Sequence, residues 1–232
     1  MMTREPAQVL LVAPHPDDPD FGAAGSVALW TREGKRVVYV ICTSGDKGAK
    51  DPDTDTAALA RIREKEQRCA AEVVRVKEVF FLRYPDQGLE DTTEFRKQIV
   101  RYIRMLKPET VVTCDPYRRY IWHRDHRITG QVTLDAIFPY ARDVLAYPDL
   151  IKEGLEPHKV KEVLLWATED PNYRVDITDV FELKKAALHC HKSQIAGMPR
   201  NVEEILISRA KLMAEGEKFE LGEAFHRVEI PW

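Results

Sequence analysis

The chain of 232 residues lacks most features that announce a function class at first sight. No window approaches the roughly 20 consecutive apolar residues needed to span a bilayer, so an integral membrane protein is not expected. The opening Met1 to Pro6 has no apolar signal-peptide core, which makes a cytoplasmic location the expectation. Neither sign of charge dominates: 35 basic and 38 acidic side chains give a formal net charge of -3, leaving no basic footprint for DNA or RNA. Neither a G-x-G-x-x-G run nor a Walker pattern is present. Gly22 and Gly25 are therefore read as sites where a helix approaches a sheet closely. Cys42, Cys69, Cys114 and Cys190 lie far apart with no C-x-x-C pair. They are read as small buried apolar residues in a reducing compartment, not as a zinc knuckle or a disulfide framework. Internal repeats and low-complexity linkers are absent.

What is present is a regular alternation. With 44% apolar residues the chain is long enough for one sizeable core. Strand-length apolar runs at Val9 to Ala13, Arg36 to Cys42, Val79 to Leu82 and Val111 to Cys114 alternate with helical segments at Phe21 to Arg32, Ala57 to Val74 and Thr92 to Leu106. Gly34 is placed to end the first helix and Lys107-Pro108 the third. This is the pattern of parallel βαβ units. Val163 to Trp166 and Tyr173 to Ile177 are expected to extend the sheet. Two later helices are expected to start at Asp179 with Glu182 and at Asn201 with Glu204, each an acidic residue three places after a capping side chain. The expected architecture is a single α/β domain over residues 1–232 with a Rossmann-like, mostly parallel twisted sheet flanked by helices. Its core covers about residues 8–140, and a C-terminal extension over about 141–232 completes the sheet and pocket.

Chemistry concentrates where two of these strands end. His15-Pro16-Asp17-Asp18 directly follows the first strand, putting an imidazole and two carboxylates at the end of a buried segment. A His and an Asp three residues apart can share one divalent cation, leaving the intervening Asp17 to handle protons. A plainer reading makes this a turn whose Asp caps the following helix. A second cluster, Trp122-His123-Arg124-Asp125-His126, sits in the loop expected after the fourth strand. In doubly wound sheets the first and fourth strands are often neighbours, and ligands bind at their carboxyl ends. Convergence of the clusters would give His15, Asp18 and one later histidine as a two-His, one-carboxylate set with open positions, the composition of a catalytic zinc site. Hydrolysis of an amide or ester is the natural chemistry of such a metal. His123 would stabilise an oxyanion, or protonate a leaving amine if held cationic by Asp125. The same set describes a non-haem Fe(II) enzyme, although the βα alternation argues against the β-helix that usually hosts one. A metal-containing sugar-binding protein would leave Asp17 and His123 without a task. A haloacid-dehalogenase-like phosphatase would leave the later histidines unexplained.

Taken in order, these segments resemble the PIG-L/LmbE-like zinc-dependent N-deacetylases, which remove acetyl groups from N-acetylglucosamine-containing compounds. Ala13-Pro14-His15-Pro16-Asp17-Asp18 is similar to the family's A-H-P-D-D opening, and Gly22 and Gly25 follow it. Thr43 to Gly48 resembles a T-x-G-E-x-G loop, Arg63 with Glu66 and Ala70 an R-x-x-E-x-x-x-A helix, and Asp86 to Leu89 a D-x-G-L turn. His123 to Arg127 resembles H-P-D-H-R with Arg124 in place of proline, and His191 to Gln194 resembles H-x-S-Q. The resemblance implies His15, Asp18 and His126 as ligands to one Zn2+ per chain, with Fe2+ an alternative in the cell. It also implies Asp17 as general base and His123 as oxyanion-stabilising or acid group oriented by Asp125. Arg63 and Asp86 would contact an N-acetylamino-sugar substrate, and the chain would form a homo-oligomer, a trimer or hexamer. Pro19-Asp20 departs from the usual acidic residue after the Asp pair, and Val74-Arg75-Val76 from a Leu-Gly-Val helix end. The first of these puts substrate identity in doubt, not the chemistry.

Overall fold

The computed structural model describes residues 5–196, 198 and 201–230. Met1 to Arg4, part of the segment read for a leader, lie outside the described residues. Among the described residues, seven strands make one sheet: β1 (Val9–Ala13), β2 (Val37–Thr43), β3 (Glu78–Tyr84), β4 (Thr110–Cys114), β5 (Glu162–Trp166), β6 (Tyr173–Asp176) and β7 (Gly222–Glu229). Their order is β3-β2-β1-β4-β5-β7-β6. β3 to β5 across the centre are parallel, whereas β7 pairs antiparallel with β5 and β6. Every residue of β1 and β2 is buried, which is why these strands are continuous apolar runs and not alternating ones.

Among the described residues, eight α-helices flank the sheet: α1 (Asp18–Arg32), α2 (Thr56–Val73), α3 (Thr93–Leu106), α4 (Arg124–Asp135), α5 (Pro148–Lys152), α6 (Phe181–His189), α7 (Lys192–Ile195) and α8 (Val202–Met213). Asp55 and Thr92 cap α2 and α3, each accepting from the backbone N–H three residues on. One apolar layer combines α1, α2, α6 and α8 with residues such as Leu11 and Tyr39 of the sheet. The opposite layer combines α3 and α4 with Leu10, Val12 and Val40. Consecutive strand residues thus feed opposite cores, as the pleat requires.

Several expectations change in detail. α1 begins three residues before Phe21, so Asp18 and Asp20 belong to its first turn. His123 to His126 do not lie in a loop: His123 is the N-cap of α4, which was not foreseen. Nor were α5 and β7. No side chain caps α6, where a 3-10 turn at Thr178–Val180 precedes the helix and displaces the expected Asp179 start. Asn201 does cap α8, accepting from Glu203 N–H at 2.9 Å. The cysteine reading holds for Cys42 and Cys114, which are free and buried. It fails for Cys69 and Cys190, which form a disulfide with a Cα–Cα distance of 5.8 Å, and with it goes part of the case for a reducing compartment. Spacing along the chain carries no information on a pair 121 residues apart.

Gly22 and Gly25 do serve close packing. A Cβ at Gly22 would lie 2.8 Å from Trp166, and one at Gly25 would lie 2.7 Å from Ile177 Cγ2. Next to this contact, Glu223 of β7 accepts from the Gly25 and Ser26 N–H groups, and Lys184 of α6 binds Glu223 at 2.5 Å. A Gly25→Ala substitution should therefore lower stability by about 1–3 kcal/mol, the usual cost of overpacking. In a thermal melt this should appear as a midpoint loss of about 2–4 °C per kcal/mol. An unchanged midpoint would mean that Ile177 yields freely.

Candidate metal and catalytic site

β1 lies between β2 and β4, the point at which the strand order changes direction. α1 leaves β1 toward one core layer and α4 follows β4 toward the other, opening a crevice at the carboxyl ends of both strands. His15 enters this crevice from the β1 end, and His123, Asp125 and His126 enter it from the start of α4. The two sequence clusters therefore meet.

Asp17 precedes α1 with φ 95° and ψ -31°, a backbone conformation that a side chain rarely adopts and that costs on the order of 1–3 kcal/mol. Although it is the N-cap residue, its carboxylate makes no capping bond. Instead Asp17 Oδ2 lies 3.2 Å from Arg63 Nη2. Arg63, expected to touch substrate, is buried among protein groups and also donates to the carbonyls of Pro16 and Gly45. Gly45 has φ +60°, and a Cβ there would lie 2.3 Å from the guanidinium, so the glycine makes room for Arg63.

Asp18 Oδ2 stands 3.1 Å from His15 Nδ1 and 3.3 Å from His126 Nε2, between the two imidazoles. On its other side, His15 Nε2 lies 3.1 Å from Asp86 Oδ1 and 3.2 Å from Asp125 Oδ2. The Asp125 carboxylate is also held by the N–H groups of Gln87 at 2.7 Å and Leu89 at 3.2 Å. Asp125 was expected to orient His123 with this carboxylate. Its backbone N–H does so instead, donating to His123 Nδ1 at 3.1 Å in an N-cap contact. Asp86 is buried and positioned by the loop after β2: Asp46 accepts from its N–H and Lys47 donates to its carbonyl. The ring nitrogens of His15, His123 and His126 lie within 4.8 Å of one another, as do donor atoms of His15, Asp86, His123 and Asp125. Trp122 packs on His126 with ring centroids 4.5 Å apart and donates to the Asp115 carbonyl, which accounts for it as a packing residue.

Electrostatics follow from this crowding. Burial works against a charged His15, but the hydrogen bonds it donates to Asp125, Asp18 and Asp86 outweigh burial and raise the imidazole to about 12. Burial pushes the Asp18 carboxyl up, yet its charge interactions and hydrogen bonds with His126 and His15 hold it well below the carboxylate range. Asp17 goes the other way: burial and the Asp18 charge exceed the pull of Arg63 and lift it to about 6. Burial lowers His123, and the charges of His15 and His126 lower it further. A neutral His123 whose Nδ1 accepts from Asp125 carries its proton on Nε2, as a donor. An environment that forces a proton onto His15 at neutral pH is one that favours a cation, and the imidazole and carboxylate donors suit a divalent metal. A groove of about 960 Å3 is lined by residues such as Tyr117, Phe138, Leu165 and His226 and contains none of these donors. The donors, not the volume, mark the candidate site.

The family model of PIG-L, described as GlcNAc-PI de-N-acetylase, matches residues 10–137, a stretch that includes every donor named above. A diacetylchitobiose deacetylase from Thermococcus kodakarensis is 37% identical over 198 residues, covering 85% of this chain and 73% of that protein. A probable N-acetyl-α-D-glucosaminyl L-malate deacetylase from Bacillus anthracis is 28% identical over 193 residues, 81% of each chain. Among solved structures, an N,N'-diacetylchitobiose deacetylase from Pyrococcus horikoshii superposes with a TM-score of 0.89 at 32% identity, covering 96% of this chain and 84% of that one. With the fold, the converging donors and these matches in agreement, the chain belongs to the PIG-L family of N-deacetylases.

Proposed function

We propose that this protein is a zinc-dependent hydrolase that removes the N-acetyl group from an N-acetylglucosamine-containing small molecule, releasing acetate. The observation that carries the reading is Asp18 Oδ2 lying between His15 Nδ1 and His126 Nε2, with Asp17 beside it and kept off the helix terminus. His15, Asp18 and His126 would hold the metal. Asp125 is saturated by two backbone N–H groups and by His15, so it acts behind His15, fixing the ring through Nε2, and Asp86 does likewise. A metal bound there supplies a water of lowered pKa and polarises the amide carbonyl.

The remaining work falls to the side chains. Asp17, with its carboxyl near 6, is ionised at neutral pH and basic enough to accept a proton from the attacking water. His123 presents Nε2–H to the oxygen that gains charge when the carbonyl becomes tetrahedral. The proton held by Asp17 then passes to the leaving amine, and the products are acetate and the free amino sugar. Arg63 bears on the substrate only indirectly, through Asp17 and the Pro16 carbonyl. Because two of the relatives are named for diacetylchitobiose, that disaccharide is the first substrate to assay. A homo-oligomer, trimer or hexamer, belongs to the same proposal by resemblance and is read from light scattering.

Acetate release should be measured for diacetylchitobiose, N-acetylglucosamine, its malate conjugate and its inositol conjugate with zinc supplied. Turnover of at least one, abolished by a chelator and restored by zinc, is expected; inertness toward all four would sink the reading. In that assay Asp17→Asn should lower kcat at least ~100-fold, the scale of a lost general base, with zinc still bound at near one per chain. Loss of the metal would instead make Asp17 a ligand.

The same variant has a stability signature in the metal-free protein. Because the folded pKa of about 6 exceeds an ordinary value near 4, the native chain binds this proton more tightly than the unfolded chain does. The Asp17 contribution to stability is therefore present below about pH 4 and lost as pH rises through about 6. Asp17→Asn should exceed the parent in stability at pH 7 by roughly 1–3 kcal/mol, and the gap should close toward pH 4. Urea melts at the two pH values decide this, and a gap that does not change would show that Asp17 is not raised.

A further inference from the structure

The unusual backbone of Asp17 is gripped from α2. The peptide group joining Pro16 to Asp17 is bound at both poles, since its carbonyl accepts from Arg63 Nη2 and its N–H donates to Gln67 Oε1 at 2.9 Å. Arg63 and Gln67 are four residues apart on α2 and so project from one face of it. A peptide plane held at both ends cannot rotate, and rotation of that plane is what would let Asp17 leave φ 95°.

Gln67 can serve the Asp17 N–H only if its side-chain amide turns the oxygen that way. Asp20 dictates this: its Oδ2 accepts from Gln67 Nε2 at 2.9 Å, which leaves the amide oxygen to face the Asp17 N–H. His191 in turn binds the same oxygen through Nε2 at 2.8 Å. Asp20, Gln67 and His191 are all fully buried. Stability alone rewards such a network poorly, because Asp20 Oδ1 and His191 Nδ1 are buried with no hydrogen-bond partner among the described residues. The network also has its own anchor. Two residues after His191, the Ser193 N–H and hydroxyl bind Glu66 of α2, and Cys190 just before His191 is bridged to Cys69 of α2.

We propose that Gln67, backed by Asp20 and His191, is a positioning residue for the general base. It fixes the Pro16–Asp17 peptide so that the Asp17 carboxylate points away from the α1 terminus it would otherwise cap and stays in the crevice. This rests on the reading of Asp17 as proton acceptor. It gives a task to Asp20 and to the histidine of the H-x-S-Q segment, neither of which touches the metal-binding donors.

Gln67→Leu removes both hydrogen bonds at similar volume. In the zinc-loaded enzyme we expect kcat to fall 10- to 100-fold, the usual range for a supporting contact, with KM within about twofold and zinc content unchanged. In the metal-free protein the Asp17 amide should lose its protection in hydrogen exchange. His191→Gln, whose Nε2 can replace the ring Nε2, should recover most of the kcat that His191→Leu loses. That pair decides the matter if Gln67→Leu does not fold. A Gln67→Leu enzyme with kcat within twofold of the parent would overturn the proposal, as would failure of His191→Gln to outperform His191→Leu. Asp17→Asn, run alongside, separates the two layers. If it is inactive while Gln67→Leu is active, only the positioning role falls. If it turns over normally, the reading of Asp17 falls and the positioning role falls with it.

Discussion

The single imidazole of His15 has three carboxylates around it, from Asp18 on one nitrogen and from Asp86 and Asp125 on the other. Two unit charges 4 Å apart interact by about 4 kcal/mol at the effective dielectric near a protein surface. A buried group of like charges on that scale cannot persist without positive charge among them. In the protein alone the proton on His15 and the guanidinium of Arg63 provide it; a divalent ion would do so more fully. Every neighbouring element is arranged around this need, from the Gln87 and Leu89 amides on Asp125 to the glycine that admits Arg63.

The scaffold brings the charges together without help from long loops. β1 and β4 are hydrogen-bonded neighbours, with Val9 beside Thr110 and Leu11 beside Val112. Because α1 and α4 depart toward opposite layers, residues 15 and 126 need only leave their strands to meet. The glycines of α1 then set how near the helix lies to Trp166 and Ile177, and hence how deep its acidic first turn sits. Packing far from the metal-binding donors thus reaches the chemistry through one rigid helix.

Much of this was legible in the sequence because it depends on local pattern. The apolar runs of β1 to β5 were placed within a residue or two, and the neighbourhood of β1 and β4 follows from the topology of βαβ units. Harder to see was anything set by a partner distant in sequence. β7 carries Glu223, His226 and Arg227 among its apolar residues and exists as a strand because β5 and β6 flank it. Arg63 lies in a run of charges of the kind found on a solvated helix face, and it is the Asp17 carboxylate with the Pro16 and Gly45 carbonyls that explains its burial. His123 and Asp125 were expected to meet through the Asp125 carboxylate, but the atom linking them is a backbone N–H, which composition cannot reveal. Gln67 carried no signal at all, since an uncharged amide inside a charged run looks like any exposed helix residue.

The bridge between Cys69 and Cys190 joins α2 to the segment that carries His191. Local opening of the short segment between α6 and α7 would otherwise cost only that segment's own contacts. Bridged to α2, it cannot open without pulling on the helix that carries Arg63 and Gln67. Loosening of this segment and loosening of the grip on Asp17 are thereby joined, so the redox conditions around the chain also set how independently the two can move.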